Sequence, residues 1–271
     1  MSQFAEETAV SPLAEGRWQA EFCRGWRIGS TMNGGYVLAT IARALGESLP
    51  HSDPLSINAF YLAPCKLGPC EIAVEPLSAG RGTSYGSASL YQDGELKVRA
   101  TAAYTDTERL RGESWIDARP PEVMPFSQTE GMSVNALEIH QRIDMRMVKG
   151  FEVFTEDRPT GTGEFIAWLQ HRDLSPIGTL DLPMFADMMP PPVFTLFGRY
   201  GWVPTVELTV QCRARPAPGP VLCRVKSTHL THSICEADAD IWDSEGALVA
   251  LARQTMKVRL PDGWEIRPPT S

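Results

Sequence analysis

The pattern of apolar and polar positions predicts one helix and several strands in the first part of the chain. Residues 36–45 are apolar on almost all sides, apart from Thr40 and Arg43, as in a helix buried on most of its faces. Around it, apolar side chains alternate or cluster between turn signals, which is typical of short antiparallel strands. Asp93-Gly94 is a strong hairpin signal. Strands are predicted at 17–28, 54–62, 69–78, 83–92 and 96–105.

The second part of the chain repeats this order of elements after a proline-rich stretch. Residues 109–138 predict a linker between an N-terminal unit, 1–108, and a C-terminal unit, 139–271. When Gly94 is aligned with Gly246, Ala102 of the first unit falls opposite Gln254. A helix against antiparallel strands, present twice, predicts an α+β architecture. Strands of the second unit are predicted at 141–151, 163–171, 204–213, 220–229, 232–242 and 247–258.

The helix of the second unit is short and contains a carboxylate, Asp187. Thr179 or Asp181 can cap its start, Pro183 suits its first turn, and the prolines at 190–192 end it. Since most of its faces are apolar, Asp187 is a charge in an apolar setting, which is costly unless it is paired or hydrogen-bonded. The alternative is an acid that reaches solvent at the helix edge.

The two units differ at positions that a duplicated fold does not need for its core. Gln254 shares a strand face with Ala250, Ala252 and Met256, so it is an amide on an apolar face. Such an amide must find partners, and nearby backbone groups are the plain alternative to a functional role. Thr205 adds a hydroxyl near a strand start, although threonine is common in strands because it is β-branched.

Composition excludes several classes of function. The net charge of −8 and the lack of basic stripes argue against nucleic-acid binding. No apolar run approaches the roughly 18 residues of a membrane helix. The acidic N-terminus lacks the shape of a signal peptide, so a cytoplasmic location is expected. The six cysteines form no CxxC pair and the five histidines no metal-site spacing, so we expect reduced thiols and no metal. A serine-hydrolase GxSxG elbow is absent from the sequence.

The order and spacing of seven short motifs resemble those of one family, the acyl-CoA thioesterase II family within the broader thioesterase-like superfamily. That resemblance implies a double hot-dog fold, in which each of two tandem units wraps an antiparallel sheet around a long buried helix. The motifs are Asn33-Gly34-Gly35-Tyr36, Phe60-Tyr61-Leu62-Ala63-Pro64 with Gly68-Pro69 after it, Gly80-Arg81-Gly82, Gln92-Asp93-Gly94, Phe185-Ala186-Asp187, Thr205-Val206-Glu207 and Val249-Ala250-Leu251-Ala252-Arg253-Gln254.

The resemblance implies hydrolysis of an acyl-CoA thioester by a catalytic trio, Asp187, Thr205 and Gln254. Asp187 would act as general base or orient the attacking water, and the other two would hold that water. A partly desolvated carboxylate is a better base than an exposed one, which suits an Asp in this setting. Thr209, on the same strand, is the alternative threonine.

Four further residues are expected to contact the substrate: Asn33, Gly34, Gly35 and Arg81. Backbone N–H groups at the helix start around Gly34 and Gly35 can stabilise an oxyanion, and glycine permits close approach. Arg81 can approach a CoA phosphate, although a plain hairpin turn accounts for its two glycine neighbours. No cofactor is expected beyond the CoA of the substrate. The family likeness also suggests a homo-oligomer.

Two other functions remain open on the sequence. An enoyl-CoA hydratase on this fold pairs its Asp with a His shortly after it on the helix, and the corresponding residue here is Pro192. A non-catalytic acyl-CoA or acyl-chain binding protein would not need Asp187 and Gln254 to converge. A separation of more than about 8 Å between these two side chains would favour the binding protein, because one water could not bridge them.

Overall fold

The computed structural model of the chain describes residues 2–132, 136–199 and 201–259. Parts of the predicted linker and the end of the predicted C-terminal unit, 133–135 and 260–271, lie outside these ranges. The elements of the first half are α1 (Gln3–Glu7), β1 (Ser11–Ala14), β2 (Arg17–Phe22), β3 (Arg27–Ile28), β4 (Thr31–Met32), α2 (Gly34–Ser48), β5 (Asp53–Tyr61), β6 (Gly68–Ala79), β7 (Ser84–Gln92) and β8 (Glu95–Thr105). Those of the second half are β9 (Ile143–Lys149), α3 (Glu152–Thr155), β10 (Glu164–His171), α4 (Leu182–Ala186), α5 (Val193–Phe197), β11 (Thr205–Cys212), β12 (Val221–Lys226), β13 (Leu230–Thr231), β14 (Ile234–Trp242) and β15 (Leu248–Lys257).

Thirteen of the strands in the described ranges form one antiparallel sheet. Its order is β1-β2-β6-β7-β8-β5-β11-β15-β14-β12-β10-β9, with β13 beside β14. The halves meet where β5 pairs with β11. From this junction outward the strand orders mirror one another, β5-β8-β7-β6-β2 on one side and β11-β15-β14-β12-β10 on the other. The predicted α+β architecture of two helix-and-sheet units is therefore confirmed.

Helix α2 is the buried axis of the first half. The Asn33 side chain caps its start by accepting a hydrogen bond from the Tyr36 N–H (2.8 Å). Leu38, Ile41 and Leu45 are fully buried against the sheet, and each such side chain contributes about 1.5–3 kcal/mol through burial. Pro50 prevents the helix from continuing.

The two halves share one core. Gly35 of α2 lies so close to α4 that a Cβ added to it would stand 2.6 Å from the Pro183 carbonyl oxygen. At the other end of α2, the Thr179 hydroxyl donates to the buried Asp53 carboxylate (2.6 Å), which joins a residue near α4 to the start of β5. The Phe4 ring of α1 packs against both Trp26 and His171, with ring centroids 5.2 and 5.3 Å away. The helices and the sheet therefore hold the halves together as one packed body.

The chain between β8 and β9 covers part of the outer face of the second half. Ile166 and Leu222 point outward, between strand neighbours that face the core, and yet they are only 5% and 2% exposed. Covering residues are fixed by the Trp168 indole N–H, which donates to the Met124 carbonyl (2.9 Å), and by the Arg146 guanidinium, which donates to the Phe126 carbonyl (2.9 Å). The predicted linker thus packs on the outer face of β10 and β12 and forms a second, smaller apolar core with it.

Three sequence predictions need correction. The strand predicted at 17–28 ends at Phe22, because a 3-10 turn at Arg24–Trp26 takes the Trp26 side chain into the core. Helix α2 is longer than the predicted 36–45, since the Asn33 cap stabilises an earlier start. Asp187 lies not within the second helix but directly after it, as the capping residue of α4.

Candidate functional site

Asp187 is aimed at the N-terminus of α2. It follows α4, which has only five residues, and three prolines at 190–192 keep the chain from continuing as a regular helix. Its backbone (φ −112°, ψ 15°) leaves the helical region at this point. The α2–α4 contact brings the Asp187 carboxylate to the first turn of the other helix.

The first turn of α2 binds the Asp187 carboxylate. The Gly35 N–H donates to Oδ2 (2.8 Å), and the Asn33 side-chain amide donates to Oδ2 (3.2 Å) and to the Asp187 backbone carbonyl (3.0 Å). The first N–H groups of a helix have no partner within it, and the helix dipole favours an anion there. Asn33 and Gly35, expected to contact substrate, therefore hold Asp187 in this structure.

Glycine is required at both positions by close approach. A Cβ on Gly34 would lie 2.9 Å from Asp187 Oδ2, and one on Gly35 would lie 2.8 Å from the Asp187 Cβ. The Gly35 N–H is occupied by the carboxylate. The expectation that this N–H stabilises an oxyanion is therefore not supported by the geometry.

A β-bulge directs Thr205 toward the inner face of the sheet. In the pairing of β11 with β15, Thr205 stands opposite Met256 while Glu207 stands opposite Thr255, so Val206 is the extra residue. Without the bulge, alternation would place Thr205 on the outer face with Glu207. With it, Thr205 joins the face that carries Gln254.

Gln254 and Thr205 contact one another beside Asp187. Gln254 is 6% exposed on the inner face of β15, as the two-residue alternation predicted. The Thr205 hydroxyl donates to Gln254 Oε1 (2.8 Å). Both side chains also lie close enough to the Asp187 carboxylate to lower its pKa. The wide separation that would favour a non-catalytic binding protein is not observed.

The pKa of Asp187 is raised. Burial is the largest influence and raises this pKa from the usual 3.8 to about 6, because water can no longer solvate the charge. The N–H groups of Gly35 and Gly34, followed by the Gln254 and Thr205 side chains, oppose the effect by stabilising the ionised form. A carboxyl group with this pKa is ionised at neutral pH and more basic than an exposed one.

The first half has the same bulge without the polar residues. In the pairing of β5 with β8, Pro54 stands opposite Tyr104 and Ser56 opposite Ala103, so the bulge falls one residue after Pro54. Pro54 therefore corresponds to Thr205. Gln254 lies two residues before Met256, the partner of Thr205, and Ala102 lies two residues before Tyr104, the partner of Pro54. The structure therefore matches Ala102 with Gln254, as the sequence alignment did. This arrangement of threonine and glutamine is present in the second half and replaced by proline and alanine in the first.

Two predicted residues lie apart from this cluster. Thr209 faces the outer side of the sheet, where its hydroxyl donates to Glu207 Oε1 (2.6 Å) and accepts from the Asn58 side chain (2.8 Å). The structure therefore brings Thr205, and not Thr209, to the side of the sheet that carries Gln254. The backbone carbonyl of Arg81 contacts His51 Nε2 (3.4 Å) beyond the C-terminal end of α2. Because a helix of this length spans about 22 Å, the structure does not bring Arg81 to Asp187.

Tyr61 belongs to the site, and sequence reasoning did not assign it a role. It is the last residue of β5, and its hydroxyl donates to the Gly34 carbonyl (2.8 Å). Its ring lies 3.2 Å from the position of the Cβ that Gly34 lacks. The motif around Tyr61 contributed to the family resemblance, but nothing in the sequence links this residue to Gly34.

Other features of the described residues lie away from Asp187. In the ranges that the structure describes, three or more His, Cys, Asp and Glu side chains nowhere gather as metal ligands would. Within the same ranges, no helix has the length and apolarity needed to cross a membrane. A cleft of about 610 Å³ opens between the chain around Val123 and Met124 and the outer sheet face at Ile166 and Arg224. That cleft contains none of the candidate site residues.

Solved structures define the class of fold. A candidate thioesterase II of Thermobifida fusca superposes with a TM-score of 0.87 at 28% identity, covering 96% of this chain and 98% of that one. A hot-dog-fold protein of unknown function from Alicyclobacillus acidocaldarius also gives a TM-score of 0.87, at 23% identity, with 96% and 99% covered. The chain has the double hot-dog fold.

Sequence comparison gives the family. Residues 23–105 match the model of the acyl-CoA thioesterase N-terminal domain, and residues 116–258 match that of the acyl-CoA thioesterase C-terminal domain. This protein belongs to that family. An uncharacterised protein of Mycobacterium tuberculosis is 23% identical over 269 residues, which span 89% of this chain and 90% of that one.

Proposed function

We propose that the protein is an acyl-CoA thioesterase that hydrolyses its substrate with a water molecule positioned by Asp187, Thr205 and Gln254. The observation that carries the proposal is the convergence of these three side chains, from α4, β11 and β15, at the N-terminus of α2. Family membership and the thioesterase-like neighbours support the reaction class.

In the proposed reaction, two side chains hold the attacking water and the third accepts its proton. Gln254 and Thr205 offer an amide and a hydroxyl that hold a water against the Asp187 carboxylate. As the water oxygen forms a bond to the thioester carbonyl carbon, its proton passes to Asp187. The carbon–sulfur bond then breaks, and the proton goes from Asp187 to the departing CoA thiolate. The products are a free acid and CoA, and Asp187 is again ionised.

The test is thiol release from a panel of acyl-CoA thioesters of increasing chain length, with native protein and Asp187→Asn. Native activity should fall by about 100-fold or more in the variant, because an amide cannot accept the proton of the water. Asp117→Asn, which changes an exposed carboxylate in the linker, is the matched control and should hydrolyse at the native rate.

The alternatives give different results. Hydrolysis that survives Asp187→Asn would keep the enzyme and reject this site. Saturable binding of every acyl-CoA without thiol release would identify the non-catalytic binding protein. Hydration of an enoyl-CoA without thiol release would identify the hydratase, which Pro192 at the position of its histidine disfavours. Four points stay predictions. They are an acyl-CoA substrate of unspecified chain length, the lack of a separate cofactor, a cytoplasmic location and a homo-oligomeric state.

A further inference from the structure

The hydrogen bonds of Tyr61 and Asp187 meet on a single peptide group. The Tyr61 hydroxyl donates to the carbonyl oxygen of Gly34 (2.8 Å), and the N–H of the same peptide, which belongs to Gly35, donates to Asp187 Oδ2 (2.8 Å). The peptide is planar, so fixing its carbonyl end also fixes the direction of its N–H. An unbroken path of hydrogen bonds therefore leads from the tyrosine hydroxyl to the carboxylate.

This peptide joins the first two residues of α2 and is oriented from its carbonyl side only. Helix geometry lets the Gly34 carbonyl accept the helical bond of the Leu38 N–H, and the Tyr61 hydroxyl adds a second bond to the same oxygen. Both residues are glycines, whose φ and ψ angles are less restricted than those of other residues. The Gly35 N–H is one of the first N–H groups of α2 and has no partner within the helix. A hydrogen bond accepted by a carbonyl also strengthens the N–H of the same peptide as a donor. Tyr61 thus adds to the direction and strength of the bond that Asp187 accepts.

Tyr61 is itself held firmly in place. Ile57 and Ala59 are fully buried on the inner face of β5, and alternation puts Tyr61 on that same face. It pairs with Val98 of β8, whose side chain is also fully buried. The ring therefore stands between the sheet and the first turn of α2.

We propose that Tyr61 is a positioning residue of the site, which acts on Asp187 through the Gly34–Gly35 peptide rather than by touching the substrate. The inference rests on the proposed function for its kinetic consequence. Its structural consequence, a change in the proton affinity of Asp187, is independent of any reaction.

The groups that face Asp187 come from four elements. They are Asn33, Gly34 and Gly35 of the α2 start, Tyr61 of β5, Thr205 of β11 and Gln254 of β15. Of these, Tyr61 is the titratable side chain, and burial followed by the charge of Asp187 raises its pKa well above 10. Tyr61 is therefore neutral wherever Asp187 titrates. Glu207 of β11, on the outer face, adds a smaller influence on Tyr61.

The test compares Tyr61→Phe with Tyr104→Phe. Both changes keep the ring and remove a hydroxyl that donates to a carbonyl of α2, because the Tyr104 hydroxyl donates to Ala42 (2.5 Å). Ala42 lies two turns further along the helix, away from Asp187. The two variants should lose similar stability. Only Tyr61→Phe should change the site.

The expected result in Tyr61→Phe is an acid limb of kcat/KM that moves upward by about half a pH unit to one pH unit, since Asp187 loses part of its strongest donor. The kcat at the pH optimum should fall by about 3- to 10-fold with KM little changed. Tyr104→Phe should keep the native pH midpoint. An unmoved midpoint in Tyr61→Phe would overturn the proposal and leave Tyr61 a structural residue.

A second readout does not depend on turnover. The carboxyl ¹³C shift of Asp187, identified by its absence in Asp187→Asn, reports the pKa of this group directly in each variant. A raised pKa in Tyr61→Phe and a native pKa in Tyr104→Phe would support the proposal even if no thioester were hydrolysed. The same pKa in all three proteins would reject it, whatever the enzymatic activity.

Discussion

The buried position of Asp187 destabilises the fold at neutral pH and gives the candidate site a carboxylate with a raised pKa. The usual pKa of an aspartate is 3.8, and burial raises that of Asp187 to about 6. The folded protein therefore holds the proton of Asp187 more tightly than the unfolded chain does. The protonated carboxyl therefore adds to the stability of the fold. This contribution is complete below pH 3.8 and is lost as the pH rises through 6. Above that pH, the ionised carboxylate destabilises the fold.

Asp187→Asn should consequently stabilise the protein at alkaline pH. The gain should approach about 3 kcal/mol at pH 8 and shrink as the pH falls from 6 to 4, since the native carboxyl is then neutral. Urea unfolding at pH 4, 6 and 8 measures the difference. A difference between variant and native protein that does not grow in favour of the variant from pH 4 to pH 8 would contradict the raised pKa.

Gly35 is the residue that sets the distance between α2 and α4. A Cβ there would meet the carbonyl oxygens of Pro183 and Met184 at 2.6 and 2.8 Å, and these backbone atoms cannot move without shifting α4. Gly46, in the same helix, has its nearest atoms at 3.6 and 3.7 Å. A side chain therefore fits at Gly46 but not at Gly35, although both glycines lie in the same helix.

Gly35→Ala should lower the free energy of unfolding by about 1–3 kcal/mol and reduce thioester hydrolysis, because it separates Asp187 from its donors. Gly46→Ala should be neutral or stabilising by up to about 1 kcal/mol, since alanine favours the helix. Thermal unfolding and thiol release check both variants. Equal effects of the two substitutions would argue against the close contact.

At the scale of elements, the chain between β8 and β9 is part of the fold. It covers outward-facing apolar residues of β10 and β12, while the outer face of their counterparts in the first half, β2 and β6, carries Gln19, Glu21 and Glu71. An apolar outer face requires a cover, and a polar one does not. The two halves therefore share a topology but differ in what lies on their outer side.

Ile166→Ala should therefore behave as a core substitution although Ile166 faces outward. We expect a loss of about 2 kcal/mol or more in the free energy of unfolding, because the removed methyl groups are buried beneath the covering chain. Thr101→Ala, on the exposed outer face of β8, should change it by less than about 0.5 kcal/mol. A small effect of Ile166→Ala in urea unfolding would show that the cover is not packed.

At the scale of the whole molecule, the halves are joined by more than a linker. β5 pairs with β11 over Glu207↔Phe60 to Gln211↔Ser56, and the helices α2 and α4 pack on one another across the same junction. The predicted division into 1–108, 109–138 and 139–271 follows the repeat in sequence. It does not mark independent cores.

Each half expressed alone, cut within the exposed stretch between residues 111 and 120, should fail to fold. It would expose an edge strand and the apolar face of one helix. The two fragments mixed or co-expressed should regain the native circular dichroism and a single unfolding transition. A fragment that unfolds cooperatively by itself would contradict the shared core.

The sequence by itself determined the elements, their repeat and the face of the sheet on which Gln254 lies. Apolar periodicity and turn signals are local, so they located nearly all the long strands and the buried helix, and alternation placed Gln254 on the inner face of β15. The helix start at Asn33 and the strand break after Phe22 were misjudged, because capping and the burial of Trp26 depend on their surroundings.

Only the tertiary structure decided how the site is assembled. Periodicity cannot reveal the bulge at Val206, which depends on pairing with β15 and turns Thr205 toward the face that carries Gln254. The distance of Arg81 from Asp187 depends on the length and direction of α2. The bond from Tyr61 to Gly34, and that from Gly35 to Asp187, join residues far apart in the chain. Such contacts arise from the packing of helices on a sheet, which no local pattern records.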